Sequence, residues 1–316
     1  MEKLKGACTG QMLPPQGLKA EGLSKKYRGF QLRNISFEIP PGNILGLLGR
    51  NGAGKTTTIK LLAGHTKKTA GNIWVEGINM ERNPIQAKSL IGLMLDEPMF
   101  FETKSLWENG VAFGRFYPKF TEKDWKKWLS VCGLQSSSWL GLLSKGERMK
   151  FQFAFAMAHH PRVLLLDEPT GNLDAVFRKE FLDILQEAVE EEQISVLFSS
   201  HLTSDLERVA DSVALLEQGE LLYADSMENM TSRYRFIKGS REEGKALREE
   251  KEPGVVGMQV TKVGFEAILD MEEISQRLAE KVKEIRQEET DLDKWMYYMT
   301  KRGKYHGQHV EKDKAV

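Results

Sequence analysis

The sequence has little cysteine, no excess of charge and no long apolar run. Its two cysteines, Cys8 and Cys132, lie far apart and lack metal-ligand spacing, which excludes a disulfide framework and favours a reducing compartment. Forty-five basic residues balance forty-five acidic ones, so charge gives no reason to expect nucleic acid as the main partner. No stretch approaches the roughly 18 apolar residues of a transmembrane helix, and no secretory signal is recognisable. We therefore expect a cytoplasmic globular protein.

The apolar segments predict an α/β fold. Residues 1–17 indicate a flexible leader, and residues 18–48 indicate strands. Residues 100–146 are rich in aromatic residues and lysine and predict a helical lobe. Short apolar strands at 163–166 and 195–200, with a helix between them, are typical of a parallel sheet covered by helices. We expect one large domain over residues 18–228.

The composition changes near Met227, and residues 229–316 predict a smaller α+β accessory domain. The charge-rich segment 241–251 indicates a solvated helix or linker, and strands are expected within 255–269. Apolar residues at helical spacing predict a helix over 271–287. A final helix is expected to begin at Thr290, with Asp293 completing a capping pair.

The most informative motif is G-x-x-x-x-G-K-T, which follows a predicted strand and opens a predicted helix. Glycines let backbone N–H groups turn inward around phosphate oxygens, and a helix N-terminus adds partial positive charge. Lys55 is expected to reach the β- and γ-phosphates, Thr56 to offer its hydroxyl to Mg²⁺, and Thr57 to contact a nearer phosphate. The predicted nucleotide contacts of this loop are Gly49, Arg50, Asn51, Gly52, Ala53, Gly54, Lys55, Thr56 and Thr57.

A second motif is the apolar strand that ends in Asp167-Glu168-Pro169-Thr170. A strand of this kind delivers its acidic residues beside the phosphate loop. We expect Asp167 to hold Mg²⁺ and Glu168 to polarise the attacking water. The sequence thus predicts a site that hydrolyses a nucleoside triphosphate.

The segment Leu143-Ser144-Lys145-Gly146-Glu147 resembles the LSGGQ signature of the ATPases of ABC transporters. The order of the other landmarks also resembles this family and spans residues 18–225. They are Tyr27, the phosphate loop, the helical lobe, the signature, the strand with Asp167 and Glu168, Asn172-Leu173-Asp174, and His201.

The resemblance implies a dimer that binds ATP and Mg²⁺ between the phosphate loop of one copy and the signature of the other. Tyr27 is expected to stack on adenine, and Ser144 and Gly146 to contact the γ-phosphate. His201 is expected to hold the γ-phosphate and the water in line, and Asp174 to link the two sites. The partners implied are a second ATPase subunit and an integral-membrane permease, through which alone the chain contacts the membrane. No nucleic acid is expected.

Two positions depart from the family pattern. Lys145 stands where the signature usually has glycine, and Glu147 where it usually has glutamine. Asp96 stands where a glutamine usually touches Mg²⁺ and water, and it is the third metal residue that we predict. These variants and the segment 263–268 resemble the YtrB-like ATPases that pair with ABC-2-type exporters, which implies export.

Alternatives remain open at this point. The aromatic residues Phe100, Phe101 and Trp107 either form the core of the lobe or line a groove for a permease helix. A soluble ABC ATPase that acts on ribosomes or DNA is the alternative function, although the chain holds a single cassette and lacks a long coiled coil between Thr56 and Ser144. A module that uses ATP only to dimerise, with little turnover, is the other.

Overall fold

The computed structural model describes residues 16–95, 100–171, 173–250, 252–282, 286–288 and 291–301. The strands in chain order are β1 Leu18–Tyr27, β2 Phe30–Ile39, β3 Ile44–Gly49, β4 Ala70–Val75, β5 Ile78–Asn79, β6 Ile91–Met94, β7 Val163–Asp167, β8 Ser195–Ser199, β9 Ser212–Glu217, β10 Glu220–Ser226, β11 Tyr234–Gly239, β12 Val255–Val260, β13 Phe265–Asp270 and β14 Arg286–Glu288. The helices are α1 Lys55–Leu62, α2 Pro84–Ser89, α3 Leu106–Gly114, α4 Glu122–Val131, α5 Lys145–Ala158, α6 Ala175–Glu192, α7 Thr203–Val209, α8 Met227–Arg233, α9 Arg241–Glu250, α10 Gln276–Val282 and α11 Leu292–Met299. None of these described helices is long and apolar enough to cross a membrane.

The central sheet confirms the predicted parallel core. Its strand order is β10-β9-β3-β8-β7-β6. The pairs from β9 to β6 are parallel, and β10 adds an antiparallel edge. Strands β3, β7 and β8 are buried along their whole length, as expected for strands covered on both faces. A separate antiparallel sheet, β2-β1-β4-β5, forms the predicted N-terminal β-subdomain.

The aromatic residues of the segment 100–131 pack largely against α5. The Phe100 ring lies 5.0 Å from Phe113 and 4.8 Å from Phe151, both edge-on, and Trp125 is fully buried against Phe151. Trp107 also packs on this cluster. Phe100 and Trp107 are partly buried and pack on this core, whereas Phe101 remains 54% exposed.

The C-terminal segment forms a sheet of order β12-β13-β11-β14 with helices α9, α10 and α11. The predicted helix over 271–287 is wrong in extent. Helix α10 spans Gln276–Val282, and β14 pairs antiparallel with β11. Helical spacing of apolar residues did not reveal this pairing, because hydrogen bonds to the exposed edge of β11 are long-range contacts.

The start of the last helix also differs from the prediction. Helix α11 begins at Leu292, and Asp291 is its N-cap, accepting from the Lys294 N–H at 2.7 Å. Thr290 lies outside the described residues. The predicted capping pair Thr290–Asp293 was wrong, because Asp291 holds the N-cap position. An aspartate satisfies the first free N–H groups of a helix as well as a threonine does.

The C-terminal segment shares a core with the central sheet. Trp295 of α11 is fully buried, and its ring lies 5.0 Å from Tyr223 of β10 and 5.9 Å from Tyr234 of β11. The Leu292 N–H donates to Glu207 of α7 at 2.7 Å. Unfolding of either part therefore exposes apolar surface of the other.

We expect Trp295→Ala to lower the free energy of unfolding by about 3 kcal/mol, because it leaves a cavity in this shared core. Tyr297→Ala in the same helix removes a ring that is 44% exposed and should cost less than about 1 kcal/mol. Urea unfolding of both variants measures the difference. Equal, small costs would contradict a shared core.

His159 joins the helical lobe to the central sheet. It follows α5, and its ring nitrogens lie 3.1 Å from the carbonyl oxygens of Phe155 and of Ile91 in β6. Tyr117 stacks on the imidazole at 3.9 Å. Burial lowers the pKa of His159 to about 4, although the two carbonyl groups act in the opposite direction. The ring is therefore neutral in the folded protein at neutral pH.

This depressed pKa predicts acid sensitivity. The folded state binds this proton only at a lower pH than the unfolded state, whose histidine pKa is about 6.5. The stability that comes from neutral His159 is therefore full above about pH 6.5 and is lost as the pH falls toward the pKa of the folded state. Between pH 7 and pH 5 the loss from His159 should be about 2 kcal/mol. Urea unfolding of wild type and His159→Gln at both pH values isolates this contribution. An equal pH effect in both proteins would contradict it.

Candidate functional site

The predicted phosphate loop connects β3 to α1 and depends on its glycines. Gly54 adopts φ +117° directly before the first helical residue, and Gly52 adopts φ +82°, conformations that favour glycine. A Cβ on Gly49 would lie 2.5 Å from the Leu216 carbonyl oxygen of β9. The Gly219 N–H donates to the Ala53 carbonyl oxygen at 3.0 Å and fixes the tip of the loop.

Lys55 is held below this loop. Only 7% of the residue is exposed, its ammonium donates to the Gly49 carbonyl oxygen at 2.7 Å, and it lies 3.5 Å from Glu168 Oε1. A buried ammonium needs such partners, because desolvation of a charge is costly. Lys55 therefore places a positive charge directly beside Glu168, the residue that follows β7.

The two acidic residues at the end of β7 are oriented by the neighbouring strand β8. Asp167 is 4% exposed, and its Oδ1 accepts from the Ser199 hydroxyl at 2.7 Å. The Glu168 N–H donates to Ser199 Oγ and to the Ser199 carbonyl oxygen, each at 3.1 Å. Sequence reasoning missed this role of Ser199, and the available signal was its place at the carboxyl end of an apolar strand.

Glu168 contacts two of the predicted catalytic residues at once. Its Oε2 lies 2.5 Å from His201 Nδ1 and accepts from the His201 N–H at 3.0 Å, while Oε1 faces Lys55 at 3.5 Å. Glu168 has φ +50°, a backbone conformation that is uncommon for glutamate and concentrated at functional sites. The fold thus brings Lys55, Glu168 and His201 together.

A buried network behind this cluster was also missed. Asp205 of α7 accepts from the Thr170 hydroxyl and from Arg178 Nε of α6, both at 2.6 Å. Thr170 lies two residues beyond Glu168, so the network ties the turn after β7 to two helices. No sequence motif relates these three residues, because they meet only through the fold.

The predicted metal residues supply oxygen ligands. Thr56 is exposed at the start of α1, and Asp167 ends β7, while Asp96 lies outside the described residues. A hydroxyl and a carboxylate fit Mg²⁺, which binds through few protein oxygens and keeps several waters. Arg50, Asn51 and Thr57 lie on the same loop and the first turn of α1.

Ser144 and Gly146 lie at the exposed N-terminus of α5. The hydrogen bonds of Ser144 are made to Glu147 of the same helix and not to Lys55, Glu168 or His201. Among the described residues, no hydrogen bond therefore joins Ser144 to Lys55, Glu168 or His201 within one chain.

Tyr27 and Asp174 occupy exposed positions at the ends of elements. Tyr27 ends β1, with the Lys25 ammonium 5.0 Å from its ring centre. Asp174 is the N-cap of α6, and its carboxylate accepts from the N–H groups of Val176 and Phe177 at 3.1 and 3.0 Å. Their contacts with nucleotide and with a second subunit remain predictions.

Comparisons with known proteins identify the family. The family model described as ABC transporter matches residues 32–171. The chain is 31% identical over 257 residues to the uncharacterized ABC transporter ATP-binding protein YdbJ of Bacillus subtilis (strain 168), a match that covers 78% of this chain and 83% of that protein. It is also 31% identical over 221 residues to the bacitracin transport ATP-binding protein BcrA of Bacillus licheniformis, covering 69% of this chain and 72% of that protein.

A solved structure shares the fold. It is the dimeric structure of a post-hydrolysis state of an ATP-binding cassette bound to ADP and Pi, with a TM-score of 0.61 at 20% identity, and it covers 66% of this chain and 98% of that one. The similarity to YdbJ extends over most of both chains. The chain therefore belongs to the ATP-binding proteins of ABC transporters, a family of ATPases.

Proposed function

We propose that this chain hydrolyses ATP to ADP and phosphate as one half of a dimer and thereby drives a separate integral-membrane permease. The observation that supports this most directly is the position of Glu168, which faces Lys55 at 3.5 Å and His201 at 2.5 Å. A carboxylate beside the phosphate-binding lysine is placed to act on a water that attacks the γ-phosphate.

In the proposed reaction, the oxygen of water forms a bond to the γ-phosphorus, and the bond to the bridging oxygen breaks to release ADP. Glu168 polarises the water and accepts one of its protons, so that the products are ADP and inorganic phosphate, and His201 orients both Glu168 and the γ-phosphate. Lys55 stabilises negative charge on the phosphates as the bond breaks. Ser199 keeps the backbone of Glu168 fixed, since it accepts from the Glu168 N–H at 3.1 Å.

Thr56 and Asp167 are the described residues that we propose as Mg²⁺ ligands, with Asp96 as a third. Mg²⁺ supplies charge neutralisation at the β- and γ-phosphates. The hydrogen bond from Ser199 to Asp167 Oδ1 at 2.7 Å leaves the second carboxylate oxygen for the metal or for one of its waters. In metal sites generally, hydrogen bonds from residues that do not themselves bind the metal orient the metal ligands in this way.

The dimer follows from what a single chain lacks. Ser144 and Gly146 are placed at an exposed helix N-terminus, where they suit an anionic phosphate. In the part of the chain that the structure describes, no hydrogen bond joins Ser144 to Lys55, Glu168 or His201. We propose that a second copy supplies them to each ATP and that Asp174 contributes to the link between the sites. The dimeric form of the related cassette with ADP and Pi supports this arrangement.

The permease is proposed to dock on the helical lobe from the membrane side, with the chain on the cytoplasmic face. A groove beside α2 is lined by Ile85, Phe116 and Pro118, of which Ile85 and Phe116 are exposed. Phe101, outside this groove, is also exposed. Exposed apolar residues of this kind suit a protein partner.

We propose residues 18–228 as the ATPase domain and residues 229–316 as an accessory domain.

Outward transport is the direction that we propose, because the variant signature and the segment 263–268 resemble the ATPases of ABC-2-type exporters. The relative BcrA is named for bacitracin transport. The substrate itself would pass through the permease, so the cassette needs no residue that binds it.

We expect Glu168→Gln to lower steady-state phosphate release by at least about 100-fold, because the amide cannot accept a proton from the attacking water. ATP binding should persist, since Lys55 and the phosphate loop are unchanged. Glu190→Gln, an exposed position on α6, serves as the control and should keep the wild-type rate.

Equal rates for wild type and Glu168→Gln would contradict the proposed catalytic role. An absence of phosphate release from wild type, together with ATP-dependent dimers, would instead favour the module that uses ATP only to dimerise. The measurement therefore separates the two functions.

A further inference from the structure

The N-terminus of α5, where the proposed reaction needs a γ-phosphate to bind, is already capped by a carboxylate. Glu147 Oε2 accepts from the Ser144 N–H at 2.9 Å and from the Ser144 hydroxyl at 2.8 Å, and the Glu147 N–H donates back to Ser144 Oγ at 3.3 Å. These contacts form a complete capping box. Both residues are exposed, so a second subunit has access to them.

This cap uses the groups that a phosphate would need. A serine hydroxyl has one hydrogen to donate, and that of Ser144 points to the Glu147 carboxylate. To give this hydrogen to a γ-phosphate, the hydroxyl must turn away from the carboxylate and lose that hydrogen bond. The Glu147 carboxylate and a γ-phosphate at the same helix N-terminus also repel each other. The partial positive charge of the helix end is only about half an elementary charge and cannot neutralise both anions.

The charge of Glu147 is retained at neutral pH. Hydrogen bonds from the backbone and then the side chain of Ser144 lower the pKa of Glu147, with a smaller contribution from the Lys150 charge. Lys145, the residue after Ser144, is exposed, whereas two other nearby cations have contacts elsewhere. Arg148 donates to Glu102 at 2.8 Å and to the carbonyl oxygens of Leu143 and Gly141 at 3.2 Å, and Lys150 lies 3.5 Å from the centre of the Phe177 ring.

We propose that Glu147 restrains ATP-driven dimerisation, because its negative charge and its hydrogen bond from the Ser144 hydroxyl occupy the place that the γ-phosphate bound to the partner subunit must take. This inference rests on the proposed function. Glu147 is a positioning residue that sets how much ATP is needed to close the dimer. A glutamine at this position still accepts from Ser144 but carries no negative charge, so the charge repulsion is removed while the helix cap is kept.

The chain contains its own matched control. Glu108 caps Ser105 at the start of α3 in the same way, accepting from the Ser105 N–H and hydroxyl at 2.9 Å each, and its own N–H donates to Ser105 Oγ at 3.2 Å. Glu108 also accepts from the Lys104 ammonium at 3.0 Å, so Glu108→Gln removes this ion pair as well as a charged cap, at a helix that no phosphate is proposed to reach.

The experiment measures the ATP concentration at which half of the protein is dimeric, by analytical ultracentrifugation with Mg²⁺, in a Glu168→Gln background that prevents turnover. We expect Glu147→Gln to lower this concentration at least about fivefold, the factor that corresponds to about 1 kcal/mol of removed repulsion in a solvated site. Glu108→Gln should leave it unchanged. The advantage of Glu147→Gln should shrink at high salt, because salt screens exposed charges.

The outcomes are distinct. If Glu168→Gln forms ATP-dependent dimers and Glu147→Gln leaves the midpoint unchanged or raises it, the restraint by Glu147 is wrong while the proposed function stands. An equal shift in Glu108→Gln also overturns the inference, because the effect would then belong to helix capping in general. If no variant dimerises with ATP, the proposed function fails, and the inference fails with it.

Discussion

The carboxyl ends of three adjacent parallel strands fix the chemistry of this protein. Strand β3 leads into the phosphate loop, β7 ends at Asp167, and β8 ends at Ser199, two residues before His201. Because the carboxyl ends of parallel strands lie at one edge of the sheet, the strand order alone brings these groups close together. Ser199 then locks the register between β7 and β8 at their last pair, opposite Asp167. The position of Glu168 between Lys55 and His201 follows from this edge.

The other half of the proposed site has a different support. Ser144 stands on α5, which packs in the aromatic core of the helical lobe, and Arg148 and Glu102 hold the segment before it. The lobe is connected to the sheet through residues such as His159, whose burial keeps its ring neutral.

The sequence revealed the parts of the fold that local patterns determine. The phosphate loop, the acidic strand and the buried strands follow from glycine positions and apolar runs, and they were predicted. The role of Ser199 and the network of Thr170, Arg178 and Asp205 join residues that are distant in the chain, so no local pattern indicates them. Strand β14 was predicted as helix for the same reason. The cap formed by Glu147 was visible as S-x-x-E, yet its conflict with a phosphate appears only once the contacts are known.

The central claim is that each ATP is shared by two copies of this chain. A crystal or electron-microscopy structure of the Glu168→Gln variant with MgATP tests it most directly. We expect the partner subunit's Ser144 to lie at hydrogen-bond distance, about 3 Å, from a γ-phosphate oxygen of an ATP held by Lys55. A structure in which ATP occupies the phosphate loop while every Ser144 in the assembly lies far from any γ-phosphate would contradict the account.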